Sequence, residues 1–272
     1  MENQGSLANY SIIILIISIP VTCILFFLLP VEIQQSLMLR TGDLNPLTSL
    51  TSILIHSNQL HLAGNIISFL IISILLYMIN WKTNTEKKLL TMMILTIFLI
   101  PFIYNLLFNI ITTLILKESI ISCGLSTAVA GLIGLTIPSL RVFLTKPIQN
   151  NKTSTYFTAS LILLTISIIT VSRLLETFYL SIFIITLAGS LILLLKIREP
   201  LKILIKQDFY MKLRLLVTIL TLTIYYTLVY LLFPANIVTL EGNIIDILAH
   251  LTGLFSGIII GHCTLQQKTS GV

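Results

Sequence analysis

The stretch LLTMMILTIFLIPFIYNLLFNIITTLIL, residues 89–116, runs without a single Asp, Glu, Lys or Arg. A helix of about 20 such residues spans the roughly 30 Å hydrocarbon core of a bilayer. Seven more stretches share this property: 3–31, 44–81, 119–140, 153–172, 177–195, 215–240 and 247–267. The composition agrees, because 56% hydrophobic residues, 10% charged residues and a mean hydropathy of +1.03 exclude a soluble domain of 272 residues. The chain reads as an all-α polytopic membrane protein, a single transmembrane domain over residues 1–272 with no soluble domain. The fifth and sixth segments meet at Arg173 and Glu176, which stand at i,i+3 and can pair within one long bent helix, so a count of seven stays open beside eight.

Orientation follows from Lys and Arg, which favour the cytoplasmic side. With a cytoplasmic amino terminus, Lys82, Lys87, Lys88, Arg141, Lys146, Lys152, Lys196, Arg198, Lys202, Lys206, Lys212, Arg214 and Lys268 fall inside, and only Arg40, Lys117 and Arg173 fall outside. The acidic Glu32, Asp43, Glu118, Glu176, Glu241 and Asp246 lie on the outer side. This predicts a multi-pass protein of the cell membrane with both termini cytoplasmic. The net charge of +6 is then a topology signal and a contact with anionic lipid, since the basic residues are spread over short inner loops and form no nucleic-acid face. The first segment has no Lys or Arg before it and no small-x-small cleavage site after Leu29, so it is expected to be retained. Cys23, Cys123 and Cys263 are odd in number and contain no Cys-x-x-Cys, which indicates neither a disulfide framework nor a metal site.

Polar groups at membrane depth are costly and mark function by default. In the second segment His61 and Asn65 stand at i,i+4, on one helical face. Ser126 is eight residues past Glu118, about 12 Å along a helix axis. His250 is four residues past Asp246, about 6 Å along. Three segments thus bring Ser, two His and Asn to the same outer third of the membrane. A serine hydroxyl needs an adjacent base, and neutral imidazole suits that task near pH 7. Ser126 with His250 is such a pair. Attack on a peptide carbonyl builds an oxyanion, for which the Asn65 amide, the His61 ring and the Ser126 backbone N–H are candidate donors. Small residues recur every fourth position on the last segment, at Ala249, Gly253, Gly257 and Gly261. Gly124, Ala128, Gly131 and Gly134 on the fourth segment face them in this reading, which predicts a backbone-to-backbone contact between the two helices.

These residues resemble the rhomboid family of intramembrane serine proteases. The likeness rests on His61-Leu-Ala-Gly-Asn65 with His56 five residues earlier, on Gly124-Leu125-Ser126, and on Ala249-His250 with Gly253 and Gly257. It covers the first four segments and the last. It implies a rhomboid-like helical bundle of about eight transmembrane helices, a six-helix core plus two. Further implications are Ser126 as nucleophile, His250 as general base and His61 and Asn65 as oxyanion donors, with Gly124, Gly253 and Gly257 supporting the motifs. The reaction implied is cleavage of a peptide bond in or near the transmembrane segment of a membrane-anchored protein, with no metal or cofactor. The chain departs from the family pattern at Thr127, where glycine is usual, and in its first outer loop (32–57), which has Arg40 but no Trp. Three segments also lie between Ser126 and His250 where the minimal family core has one.

Blander roles stand beside these. His56 is assigned to loop structure, His262 to packing, and Cys123 to a small apolar neighbour of the site. Asp246 is a candidate third member of a triad with His250, although the family works as a dyad. The alternative function is a catalytically inactive rhomboid-like protein that binds transmembrane clients. A transporter is disfavoured by the absence of charges at midplane, and zinc or aspartyl chemistry by the lack of His-Glu-x-x-His and of paired membrane aspartates.

Overall fold

A computed structural model describes residues 3–117, 119–148, 150–207, 209–234 and 246–266. The expected outer positions of Glu118 and Glu241, the inner position of Lys268 and the ends of the seventh and eighth segments lie outside the described residues, as does the side chain of Lys206. Among the described residues, eight helical spans are long and apolar enough to cross a membrane: Leu7–Phe27, Gln59–Lys82, Glu86–Ile115, Ser126–Thr145, Asn151–Val171, Thr177–Lys202, Phe209–Leu232 and Ile247–Gln266. The protein is a multi-pass, all-α integral membrane bundle.

By element, the helices are α1 (Asn3–Phe27), α2 (Val31–Leu37), α3 (Pro46–Thr51), α4 (Gln59–Lys82), α5 (Glu86–Ile94), α6 (Ile100–Ile110), α7 (Ser126–Thr145), α8 (Asn151–Val171), α9 (Thr177–Gln207), α10 (Phe209–Leu232) and α11 (Ile247–Gln266). π-helical turns at Leu95–Leu99 and Ile111–Leu116 make the third span continuous through α5 and α6. Two short strands, β1 (Leu39–Arg40) and β2 (Ile121–Ser122), pair antiparallel, with Leu39 opposite Ser122 and Arg40 opposite Ile121.

The chain divides into two compact units. The first holds residues 1–135 and 246–272. In it α1 packs on α4 and α5, and α11 packs on α5 and α6. Along α4 the buried residues Phe69, Ile72, Leu76 and Ile79 follow helical spacing and line one face. α4 begins where it does because the Asn58 side chain caps it, accepting the His61 N–H at 2.7 Å.

The second unit holds residues 136–245. Its core is a hairpin of α8 and α9 with α10 alongside, joined by hydroxyl contacts that serve where apolar burial gives helices in lipid little reason to associate. Ser167 and Thr186 hydroxyls meet at 2.7 Å, Thr165 and Tyr225 at 2.9 Å, and Ser190 donates to the Ser160 carbonyl at 3.0 Å. The question left between seven and eight segments is answered by a turn at 172–176. Arg173 reaches the Tyr179 hydroxyl at 3.3 Å instead of extending a bent helix toward Glu176.

Several boundaries differ from the sequence reading, among them that of α9, which runs to Gln207, past the expected 195. The second apolar stretch does not start as its span at 44, because Pro46 and Asn45 open the separate short helix α3. α10 starts six residues before the expected 215, since Arg214 satisfies its charge on the Phe143 carbonyl at 2.8 Å and need not lie beyond the helix. The difference that bears on Ser126 concerns the fourth segment. Residues 119–125 are not helical, so Ser126 is the first residue of α7 and not a residue about 12 Å along it.

Candidate active site

The site forms within the first unit, where α4, α7, α11 and the loop before α4 converge. Ser126 opens α7 after a turn at Gly124, whose φ of +118° is a conformation that L side chains rarely adopt. Space also demands glycine there. A Cβ at Gly124 would lie 2.6 Å from His61 Cε1, 2.8 Å from His61 Nε2 and 3.4 Å from Asn65 Nδ2. The glycine of Gly-x-Ser is therefore packed directly against the His and Asn of the His61–Asn65 motif.

The turn is held from both sides by the loop before α4. The Gly124 N–H donates to the Ser52 carbonyl at 2.9 Å, and the Leu125 N–H donates to His56 Nε2 at 3.4 Å. His56 Nδ1 lies 3.2 Å from the Leu54 carbonyl, so these partners require the tautomer with the proton on Nδ1. His56 is 1% exposed. Its imidazole is pushed down from 6.5 to about 4, first by burial and then by the neighbouring His61 charge, which keeps it neutral and able to accept from Leu125. The His56 and His61 rings meet edge to face at 5.1 Å. The Ser57 hydroxyl lies 3.2 Å from His61 Nδ1, leaving Nε2 as the ring nitrogen nearer Gly124.

Asn65 is 8% exposed, and its Nδ2 has no hydrogen-bond partner among the described residues. A buried amide left so costs about 1–3 kcal/mol, which makes it a donor waiting for an acceptor. As the first residue of α7, Ser126 also stands at the positive end of a helix, where the first backbone N–H groups have no intrahelical partner. Together these groups can stabilise negative charge developing beside the Ser126 hydroxyl.

The expected contact between the two small-residue ridges is present. A Cβ on Gly253 would fall on the Thr127 carbonyl oxygen, one on Gly257 on the Gly131 carbonyl oxygen, and one on Gly134 on the Leu254 carbonyl oxygen. The pairs Gly253 with Thr127 and Gly257 with Gly131 advance in the same direction along both helices, so α7 and α11 run parallel there, backbone on backbone. Their amino-terminal ends, carrying Ser126 and His250, are at the same end of this contact. His250 is 7% exposed and interacts electrostatically with His61.

Cys123 adjoins the turn with its thiol pushed up to about 11, by burial first and by Asp246 second, so it is protonated near neutrality and a poor nucleophile. Asp246 is the N-cap of α11. Its Oδ1 accepts the Ala249 N–H at 2.9 Å. Its Oδ2 accepts from the Ser122 hydroxyl at 2.9 Å and from the Tyr104 hydroxyl. Sequence reasoning passed over Ser122, Tyr104 and Ser52. The Asp directly before an apolar helix was a visible cap signal, but nothing local marks the partners that fold onto it.

No protein-family model, no curated protein and no solved structure matches the chain.

Proposed function

We propose that the protein is an intramembrane serine endopeptidase of the rhomboid type, cleaving a peptide bond in or near the transmembrane segment of membrane-anchored proteins. Ser126 is the nucleophile in this reading and His250 the general base. The observation that carries it is the unpartnered Asn65 amide beside Gly124, next to the helix start that bears Ser126. An oxyanion that exists only during reaction would give that amide an acceptor. The parallel α7–α11 contact supports the pairing of Ser126 with His250, and the His61 ring against Gly124 supports a second donor. The Lys and Arg distribution supports a cell-membrane protein with cytoplasmic termini, its site toward the outer face.

The test is labelling of the purified protein with a fluorophosphonate, with the adduct located by mass spectrometry. Labelling on Ser126 that is lost in His250→Ala is expected. Folded wild type that stays unlabelled beside a labelled control protease would overturn the reading and favour a protein that binds transmembrane clients without cutting them.

A further inference from the structure

Ser122 lies four residues before Ser126, and Asp246 lies four residues before His250. These two upstream residues are hydrogen-bonded to each other at 2.9 Å, and the Tyr104 hydroxyl of α6, 2.7 Å from the Ser122 oxygen, donates to the same Asp246 oxygen. We propose that Asp246 is a positioning residue, which through the Ser122 and Tyr104 hydroxyls sets the register of the segment bearing Ser126 against the helix bearing His250. The proposal rests on the protease reading and names how that site is held in alignment.

Residues 119–125 have no helix of their own to fix them. The Thr41 N–H donates to the Ile120 carbonyl at 3.1 Å, the Ile120 N–H donates to the Thr41 hydroxyl at 2.9 Å, and the β1–β2 ladder continues the seam. All of these tie the segment to the loop before α4. The bond from Ser122 ties it to α11. A carboxylate is well suited to this place because it accepts several bonds at once, and bonds to a charged acceptor are about twice as strong as neutral ones. The same carboxylate caps α11 through Ala249, so the helix start and the serine segment share one anchor. Beneath it Leu39, Tyr104, Phe108 and Ala249 form a buried apolar cluster, which holds the Tyr104 ring so that its hydroxyl meets the carboxylate. A triad aspartate would spend its oxygens on orienting the imidazole. Here Oδ1 serves the helix amide and Oδ2 serves two hydroxyls.

The experiment measures the rate of fluorophosphonate labelling across pH for wild type, Tyr104→Phe, Ser122→Ala, the double variant and Asp246→Asn, alongside hydrogen exchange of the amides in 119–125. Each hydroxyl variant is expected to slow labelling roughly tenfold, since small misplacements of reacting groups carry costs of that order or more. The double variant is expected to fall short of the product of the two, because both hydroxyls act through one carboxylate. The pH midpoint is expected to stay at the wild-type value, and exchange in 119–125 to rise. Wild-type labelling rates in Tyr104→Phe and Ser122→Ala would overturn the proposal. So would a lowered pH midpoint confined to Asp246→Asn, which would make Asp246 a direct partner of His250. If wild type does not label at all, the protease reading fails by itself, and the exchange data decide the clamp: raised exchange in both hydroxyl variants supports it, and unchanged exchange overturns it.

Discussion

Gly257 of α11 rests directly on Gly131 of α7, so close that a Cβ on the first would fall on the carbonyl oxygen of the second. Gly131 is confined on its other side as well, where its own Cβ would come within 2.6 Å of Thr96 Cγ2 and 2.7 Å of Ile100 Cδ1. α7 is thus held between two helices at one residue, and neither neighbour can move closer without displacing the span that carries Ser126.

Gly257→Val is expected to force α7 and α11 apart. The cost is about 1–3 kcal/mol of stability, typical of overpacking, together with loss of Ser126 labelling. Gly64→Ala on α4 is the contrasting case, because a Cβ there meets nothing within 4 Å. It is expected to raise thermal stability by about 0.5–1 kcal/mol, the usual gain on removing glycine from a helix interior. Melting curves of both variants in the same detergent check the pair.

Asn65→Leu is expected to separate stability from activity. Removing a buried donor that has no partner relieves about 1–3 kcal/mol of desolvation, so the melting temperature should hold or rise. Loss of an oxyanion donor should lower turnover of a cleavable substrate by roughly 10²–10³-fold. A variant both less stable and fully active would refute the assignment.

Gly124→Ala is expected to fail on two counts at once. The positive φ strains any L side chain by about 1–2 kcal/mol, and the new methyl collides with the His61 ring. Labelling at Ser126 should be lost, and replacing His61 by alanine in the same chain should recover part of the lost stability but none of the activity.

His56 predicts a pH dependence of stability. Its folded value, about 4, lies below the ordinary 6.5, so between these values the unfolded chain holds a proton that the folded protein refuses. The contribution of His56 is therefore complete above about pH 6.5 and is lost as pH falls toward about 4. Below that the slope due to this group vanishes. His56→Asn should flatten the fall in melting temperature between about pH 7 and pH 4.5, the window in which the two states differ in bound protons.

The spans were legible because lipid tolerates no unpaired charge, so eight charge-free stretches announce eight crossings. Their ends were less so. Ile120 and Ile121 before Gly124 are as apolar in a strand as in a helix, and hydropathy does not separate the two, which is why Ser126 was expected within a helix and stands at its start. The lysines and arginines near 196–214 marked an end too early, since long basic side chains stay on a helix when they reach water or a carbonyl, as Arg214 does. The contact of α7 with α11 was legible from glycine spacing alone. The tie among Tyr104, Ser122 and Asp246 was not, because it joins residues 142 and 124 positions apart, and no local pattern encodes such a meeting.

The loop before α4 and the turn before Ser126 are fastened at Ser52, at His56, at Thr41 and along the β1–β2 ladder. These ties couple the position of the turn to that of the loop. If Ser126 is the nucleophile proposed above, swinging that loop aside would displace the serine with it, and the proposed substrate has to approach along a path that leaves this seam closed.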